Sequence, residues 1–404
     1  MRRAWRIASE DEIREGKTTD VYFDRTVEIL EAENVNPIVH AEFTVSSIPK
    51  NYEWGVTGGI DDALKLLEGK EIDVYGLPEG TVFWARGSNG VRTPVLAIEG
   101  HYREFTAMET PVLGFICHTS GMVTKTAHVR LAAGDKLLLS FGARRTHPAI
   151  TPQVAYAGYV GGCDGVSCVL GGELLGIEPS GTMPHALIIS FQDHRKAWES
   201  YDKHVDKDAA RVALVDTYLD EVKESIMAAE TIEDLDGVRL DTPSSRRGSM
   251  KRILQEVRWE LDARGFEDVE IFVSGGLDVD SVTALRKVGA DGFGVGGAIS
   301  NAPAVDFAMD IVSMISDDEW IPVAKRGKFS GRKRVWRCND CLRTQSSLLD
   351  SNPGVCPVCG GKMEKLTVKL MEDGEILQAP KSPDEIRDSV LKQIRRFDDI
   401  GRHD

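Results

Sequence analysis

Hydrophobic and polar positions fall along the chain in two regimes that meet near residue 135. The first predicts a mixed domain. A helical stretch over residues 24–33 precedes the strand candidate IVHAEFTV. A helix over 61–68 leads into two further strand stretches, IDVYGLPEGTVFWARG and VRTPVLAIEG, separated by the turn-forming SNG. A long helical region over 104–133, interrupted near Gly121, closes at Gly134.

From Lys136 short apolar runs that end in small or polar residues alternate with helical patterns. Seven strand candidates follow one another: KLLLSFGARR, CDGVSC, GIEPSGTMP, RVALVDT, GVRLDTPS, VEIFVSGG and DGFGVGG. Between them Leu219, Val222 and Ile226, then Met250, Ile253, Leu254, Val257 and Leu261, then Val279, Val282, Leu285 and Val288 recur at the spacing of single helix faces. Seven β-then-α units predict a parallel sheet, closed as a barrel or doubly wound. Their C-terminal ends carry Arg144 and Arg145, Asp164, Thr182 and His185, Asp216 and Thr217, Asp241, Gly275 and Gly276, and Gly296 and Gly297. Polar termini on every strand suit a barrel mouth, because an open sheet would gather them at one crevice. The expected fold class is therefore an α/β barrel over 135–316, preceded by an α+β domain over 1–134 and followed by a segment over 317–404.

That last segment predicts a helix near 305–315, strands in LTVKLMED and GEILQAP, and a charged final helix opening at the SPDE cap. Within it Cys338 and Cys341 (CNDC) and Cys356 and Cys359 (CPVCG) form two Cys-x-x-Cys pairs 14 residues apart. Two such knuckles supply a closed tetrahedral Cys₄ shell, the mark of a structural Zn²⁺ ribbon over about 335–366. Seven cysteines with only four clustered fit a reducing cytoplasm, and Cys117, Cys163 and Cys168 are expected as buried thiols.

Composition narrows the function classes. No apolar stretch approaches the roughly 20 residues of a membrane span. The N-terminus MRRAWRIASEDEIREG lacks the apolar centre of a signal peptide. A net charge of −15 argues against nucleic-acid binding, although KRGKFSGRKRVWR over 325–337 is a local basic patch. The glycine turn in DGFGVGGAIS, opening a helix beside VSGG, suits an anion such as a phosphate.

FGARR, GGCDGVSCVLGG, EPSGTMPHAL, VRLDTPSS, FVSGG and GVGG, in that order, resemble the nicotinate phosphoribosyltransferases of the type II phosphoribosyltransferase fold. TTDVYF resembles the family's Thr-Asp-x-Tyr motif, so the resemblance spans roughly residues 15 to 300. It implies an irregular, open seven-stranded α/β barrel packed on a second domain, in a homodimer or higher oligomer whose active site is completed across the interface. The implied reaction joins nicotinate to 5-phosphoribosyl 1-diphosphate, releasing pyrophosphate, with Mg²⁺ on the diphosphate and ATP as co-substrate.

The resemblance also implies roles. Asp241 and Asp216 face the ribose, with Asp164, Thr182 and Thr217 beside the substrates. Arg144 or Arg145 faces the diphosphate. The turns at Gly275–Gly276 and Gly296–Gly297 hold the 5′-phosphate. Tyr22, from a neighbouring subunit, and Phe141 stack on the pyridine ring, and Arg239 pairs its carboxylate. His185 matches the histidine that ATP phosphorylates; without the resemblance the favoured reading is a residue that caps the next helix or fills the barrel mouth, and Asp164 and Asp216 could likewise cap helices. The chain departs from the family in TPSSRRGSM after Asp241, in the cysteines of GGCDGVSC, and in the ribbon. Quinolinate phosphoribosyltransferase on the same fold, a nicotinamide-specific enzyme, and a zinc-ribbon binding protein without catalysis are the competing readings.

Overall fold

The computed structural model describes residues 4–207 and 209–401; Arg2 and Arg3, part of the N-terminal stretch read above, lie outside them. The chain forms two compact units, one from residues 1–124 with 303–404 and one from 125–302. No helix is long and apolar enough to cross a membrane among the described residues.

The first unit is built on a seven-stranded antiparallel sheet in the order Glu319–Pro322, Asp306–Ser316, Ile38–Ser47, Pro94–His101, Ile72–Gly76, Val368–Glu372 and Glu375–Ile376. The central strand Ile38–Ser47 alternates strictly. Val39, Ala41, Phe43 and Val45 enter the core with Val112 and Ile116 of the long helix Glu109–Ala133. His40, Glu42 and Thr44 point the other way and are buried as well. The helix predicted near 305–315 is instead the strand Asp306–Ser316, paired along its length with the central strand. Its apolar residues satisfy both periods, and the sheet supplies the partner that settles the choice. The sequence stretch 72–87 divides into Ile72–Gly76 in the main sheet and Val82–Trp84, which pairs with Trp54–Val56.

Gly121 does not interrupt the long helix. A Cβ there would stand 2.4 Å from the Pro303 carbonyl, so the glycine permits a close backbone approach rather than a break. The final helix Pro383–Gly401 opens with the expected capping box, Glu385 N–H donating to Ser382 Oγ (3.2 Å) and Ser382 N–H to Glu385 Oε2 (2.8 Å).

The second unit carries a six-stranded, all-parallel sheet in the order Gly165–Val166, Leu137–Ser140, Gly292–Val295, Glu270–Ser274, Gly237–Leu240 and Val212–Leu214. Six of the seven strand candidates are therefore strands. The remaining one, residues 176–184, runs from Ile177 on as an extended strap tied to Gly165–Val166 by Ser180 N–H donating to Val166 O (2.8 Å). Pro179 and Pro184 remove donors that a ladder would need, which keeps the barrel irregular and open here.

The helix Met250–Asp262 buries Met250, Leu254, Val257 and Leu261 as its pattern requires. The helix Glu221–Thr231 does not follow its pattern. It buries Glu224, Ser225, Ala228 and Ala229, while Leu219, ahead of the helix, is exposed and Val222 and Ile226 are only partly covered. A fully buried glutamate replaces the expected apolar stripe.

Candidate active site

The strand ends of the second unit bring most of the expected residues together. The strap places His185 at the first turn of the helix His185–Phe191. Its Nδ1 lies 3.1 Å from Thr217 Oγ1, on the loop after Val212–Leu214. Its Nε2 lies 3.7 Å from Asp216 Oδ1 and 3.9 Å from Asp241 Oδ2, and the ring is about one-third exposed, at 37%. Imidazole and two carboxylates thus face one another at the mouth of the sheet.

The two aspartates differ in setting. Asp216 is buried, and its Oδ2 accepts from Asp241 N–H (3.1 Å) and the Thr242 hydroxyl (3.0 Å). Its Oδ1 is buried without a hydrogen-bond partner, aimed toward His185. Burial pushes the Asp216 carboxyl above the usual range, opposed by His185 and the Thr242 hydroxyl. Asp241 is more open; Ser274 Oγ donates to its Oδ1 (2.9 Å), and its Oδ2 lies 3.9 Å from Arg239 Nη2. Gly275 has a φ of +89°, and a Cβ there would come within 2.8 Å of Asp241 Oδ1, so glycine is needed both for the backbone and for the carboxylate's space.

Arg239 reaches from its strand into the sheet's interior, where its guanidinium donates to Thr182 Oγ1 and to Met183 O (3.1 Å) of the strap. Burial pulls its pKa down, against the pull of Asp241 and Asp216. It lines a cavity of about 630 Å³ together with Phe141, Asp164, Thr182, Phe293 and Gly294. Phe141 folds over Gly294, where a Cβ would stand 2.4 Å from the ring. Among the described residues lining this cavity Arg239 is the one cation; Asp164, Glu178 and Asp206 are acids.

Other expected residues stand in different settings. Asp164 lines the cavity, yet its Oδ2 already accepts from Arg130 Nη1 and Leu138 N–H (both 2.9 Å). Arg144 and Arg145 are exposed on the short turn Gly142–Arg145. Gly276 has a φ of +70°, and Gly296 lies directly before the short helix Gly297–Ser300. Tyr22 belongs to the first unit, 55% exposed on the helix Val21–Ala32.

The pattern of the sequence missed Glu224. Fully buried, it accepts from three successive backbone N–H groups, Thr217 (3.0 Å), Tyr218 (2.7 Å) and Leu219 (2.6 Å), and pairs with His194 Nε2 at 2.8 Å. It therefore fixes the loop that presents Asp216 and Thr217 to His185. A lone glutamate on a helix reads as a solvated residue, so no signal in the chain pointed to it. Glu224→Ala would strand these donors. We expect a stability loss of roughly 3 kcal/mol, read as a lower denaturation midpoint in urea, with Glu224→Gln losing less. An unchanged midpoint for the alanine variant would remove the clamp from this account.

In the first unit the four ribbon cysteines converge. Their sulfurs all lie within 4.8 Å of one another, with Cys338–Cys359 at 3.4 Å and Cys341–Cys356 at 3.6 Å, and no disulfide joins them. Tetrahedral thiolates at about 2.3 Å from a metal stand about 3.8 Å apart, so the cluster can hold one metal ion. It sits at one end of the three-stranded sheet Thr344–Leu348, Lys333–Cys338 and Met363–Lys365. Of the other cysteines, Cys163 is buried as expected, whereas Cys117 and Cys168 are only partly so.

Residues 122–310 match the quinolinate phosphoribosyl transferase C-terminal domain and residues 20–120 its N-terminal domain. The crystal structure of a nicotinate-nucleotide pyrophosphorylase from Pyrococcus furiosus is 47% identical, with 98% of this chain and 99% of that one covered and a TM-score of 0.93. A nicotinate phosphoribosyltransferase of Mycobacterium tuberculosis is 31% identical over an alignment of 318 residues that covers 74% of this chain. The alignment spans 66% of that relative's length. Human nicotinic acid phosphoribosyltransferase shares the fold, with a TM-score of 0.75 at 20% identity over 94% of each chain. The domain models and the shared fold together place the chain among the phosphoribosyltransferases. The chain belongs to the phosphoribosyltransferase family that those two domain models describe, together with the Pyrococcus furiosus nicotinate-nucleotide pyrophosphorylase, and is similar to the nicotinate phosphoribosyltransferases.

Proposed function

We propose that this protein transfers the 5-phosphoribosyl group from 5-phosphoribosyl 1-diphosphate to nicotinate, serving NAD salvage. The pyridine nitrogen forms a bond to the anomeric carbon while the bond from that carbon to the pyrophosphate oxygen breaks. One observation carries the choice of substrate: a single largely buried guanidinium, Arg239, in a cavity whose other described lining residues are apolar, acidic or the hydroxyl-bearing Ser180 and Thr182. One carboxylate on an aromatic ring matches one Arg; the second carboxylate of quinolinate would face Asp164, Glu178 and Asp206. Nicotinamide would bring no charge to Arg239 beyond that of Asp241. Phe141 supplies a ring face beside the same cavity.

Asp241 and Asp216 stabilise the positive charge that develops on the ribose, and they also fit Mg²⁺, which neutralises the departing pyrophosphate when bound. The glycine turns at Gly275–Gly276 and Gly296–Gly297 receive the 5′-phosphate, and Arg144 or Arg145 the diphosphate. ATP phosphorylates His185. With Nδ1 held by Thr217, Nε2 is the nitrogen left to accept the phosphoryl group. Tyr22 comes from the neighbouring subunit of a homodimer, and the Cys₄ cluster holds Zn²⁺ in a structural role.

The test measures nucleotide formation from nicotinate, quinolinate and nicotinamide with phosphoribosyl diphosphate and Mg²⁺, with and without ATP. Nicotinate is expected to react, with stimulation by ATP that disappears in His185→Ala while a slow ATP-independent rate remains. Reaction of quinolinate alone, indifferent to ATP, would overturn the substrate assignment. Stimulation that survives in His185→Ala would overturn the phosphohistidine.

A further inference from the structure

The first unit contains a second, smaller cavity of about 200 Å³ that the transfer reaction does not use. It lies on the polar face of the central strand, where Glu42 and Thr44 are buried, and is covered by the basic segment after residue 324. Four residues of that segment, Gly327, Lys328, Phe329 and Lys333, line it. Overall negative charge made this basic run unexpected in the sequence; the cavity is what it encloses.

Charge accounting inside the cavity shows a surplus of cations. Glu42 is matched by Lys333 Nζ at 2.9 Å and by the His40 ring at 3.4 Å. Asp310 is matched by Lys328 Nζ at 2.6 Å and Lys325 Nζ at 3.3 Å. That leaves the guanidiniums of Arg86 and Arg92, cross-strand neighbours on either side of the SNG turn. Neither has a carboxylate partner among the described residues. Arg86 Nη1 donates only to Gly90 O (3.3 Å) and Arg92 Nη1 only to Ser46 Oγ (3.2 Å). Thr44 is 8% exposed, and its hydroxyl has no hydrogen-bond partner although the side chain borders the cavity. A buried polar group without a partner is costly, and an arginine pair without a counter-ion is a ready carboxylate fork. Val91, Val312 and the exposed Phe329 form an apolar wall beside these donors.

We propose that this cavity binds a small aromatic carboxylate, with Arg86 and Arg92 on the carboxylate, the Thr44 hydroxyl as an additional donor, and Phe329 against the ring. The site is separate in the chain from the barrel residues and independent of the reaction assigned to them.

The test titrates benzoate, which has no ring nitrogen to ribosylate, into the full-length protein by calorimetry. Arg86→Gln with Arg92→Gln is expected to weaken one class of benzoate site by about tenfold or more. Arg239→Gln, which disables the barrel cavity, is expected to leave that class unchanged. Transfer rates without benzoate are expected to be unaltered in the Arg86/Arg92 double variant. Benzoate binding that is absent, or that disappears only in Arg239→Gln, would overturn the proposal. So would a transfer rate that falls in the double variant without benzoate, since the arginines would then serve the reaction. Inorganic phosphate displacing benzoate with no loss on Phe329→Ala would replace the aromatic carboxylate with an inorganic anion and equally overturn it.

Discussion

Asp241→Asn is expected to lower kcat/KM for nucleotide formation by about 10²- to 10³-fold, with little change in thermal stability. The argument rests on what the substitution keeps. An asparagine oxygen still accepts from Ser274 Oγ, and the backbone N–H still donates to Asp216. Only the charge at Oδ2 is lost, the Asp241 oxygen that stands 3.9 Å from both His185 Nε2 and Arg239 Nη2. A carboxylate held without reorganisation beside an oxocarbenium-like carbon stabilises the transition state more than the ground state. Asp216 adds a pH signature. Because burial raises its pKa, it becomes protonated at a higher pH than an ordinary aspartate. The acid limb of kcat/KM is therefore expected above the usual carboxylate range, and Asp216→Asn should abolish that limb together with most of the rate. A loss below tenfold for Asp241→Asn would assign the ribose charge to other groups.

Much of this site was legible because its residues sit where strand periodicity ends. Apolar runs such as VEIFVS and VRL stop abruptly at Gly275 and Asp241, and in a parallel sheet those stops share one end. The residues that hold the site in place were not legible. Glu224 is hidden because its partners are backbone N–H groups, which leave no trace in side-chain patterning. The stretch 176–184 reads as a strand because it falls in the alternation of short runs and helices; its prolines decide how it is bonded. The strand Asp306–Ser316 was hidden for a different reason, since its seven apolar positions in eleven fall in a pattern that a helix face satisfies as well. Its long pairing with Ile38–Ser47 joins the two ends of the sequence in one sheet, a fact of tertiary structure that no local window contains.

The same closure of the sheet gives the ribbon its leverage, and Cys356→Ser is expected to lower the stability of the whole first unit. A structural zinc contributes roughly 10–16 kcal/mol to its own module, so loss of one thiolate should cost several kcal/mol and lower Tm by about 10 °C. The effect should spread because the ribbon is not an appendage. Val335, on its central strand, is part of the main hydrophobic core. Trp84 Nε1 donates to Leu342 O between the cysteine pairs (2.9 Å), and the Arg343 guanidinium lies 3.6 Å from the centre of the Trp84 ring. Arg337 reaches Gln393 Oε1 on the final helix (2.7 Å), whose amide in turn donates to Gly80 O (2.9 Å). Metal content, measured as zinc per chain, should fall from one toward zero in the variant, and a chelator should reproduce the Tm loss in the unsubstituted protein. In the proposed function the cysteines take no part in the chemistry, so the ATP-independent transfer rate, measured well below the lowered Tm, should remain within about twofold of the unsubstituted protein. A variant that loses its zinc yet keeps its Tm would show that the strands, not the metal, hold the ribbon.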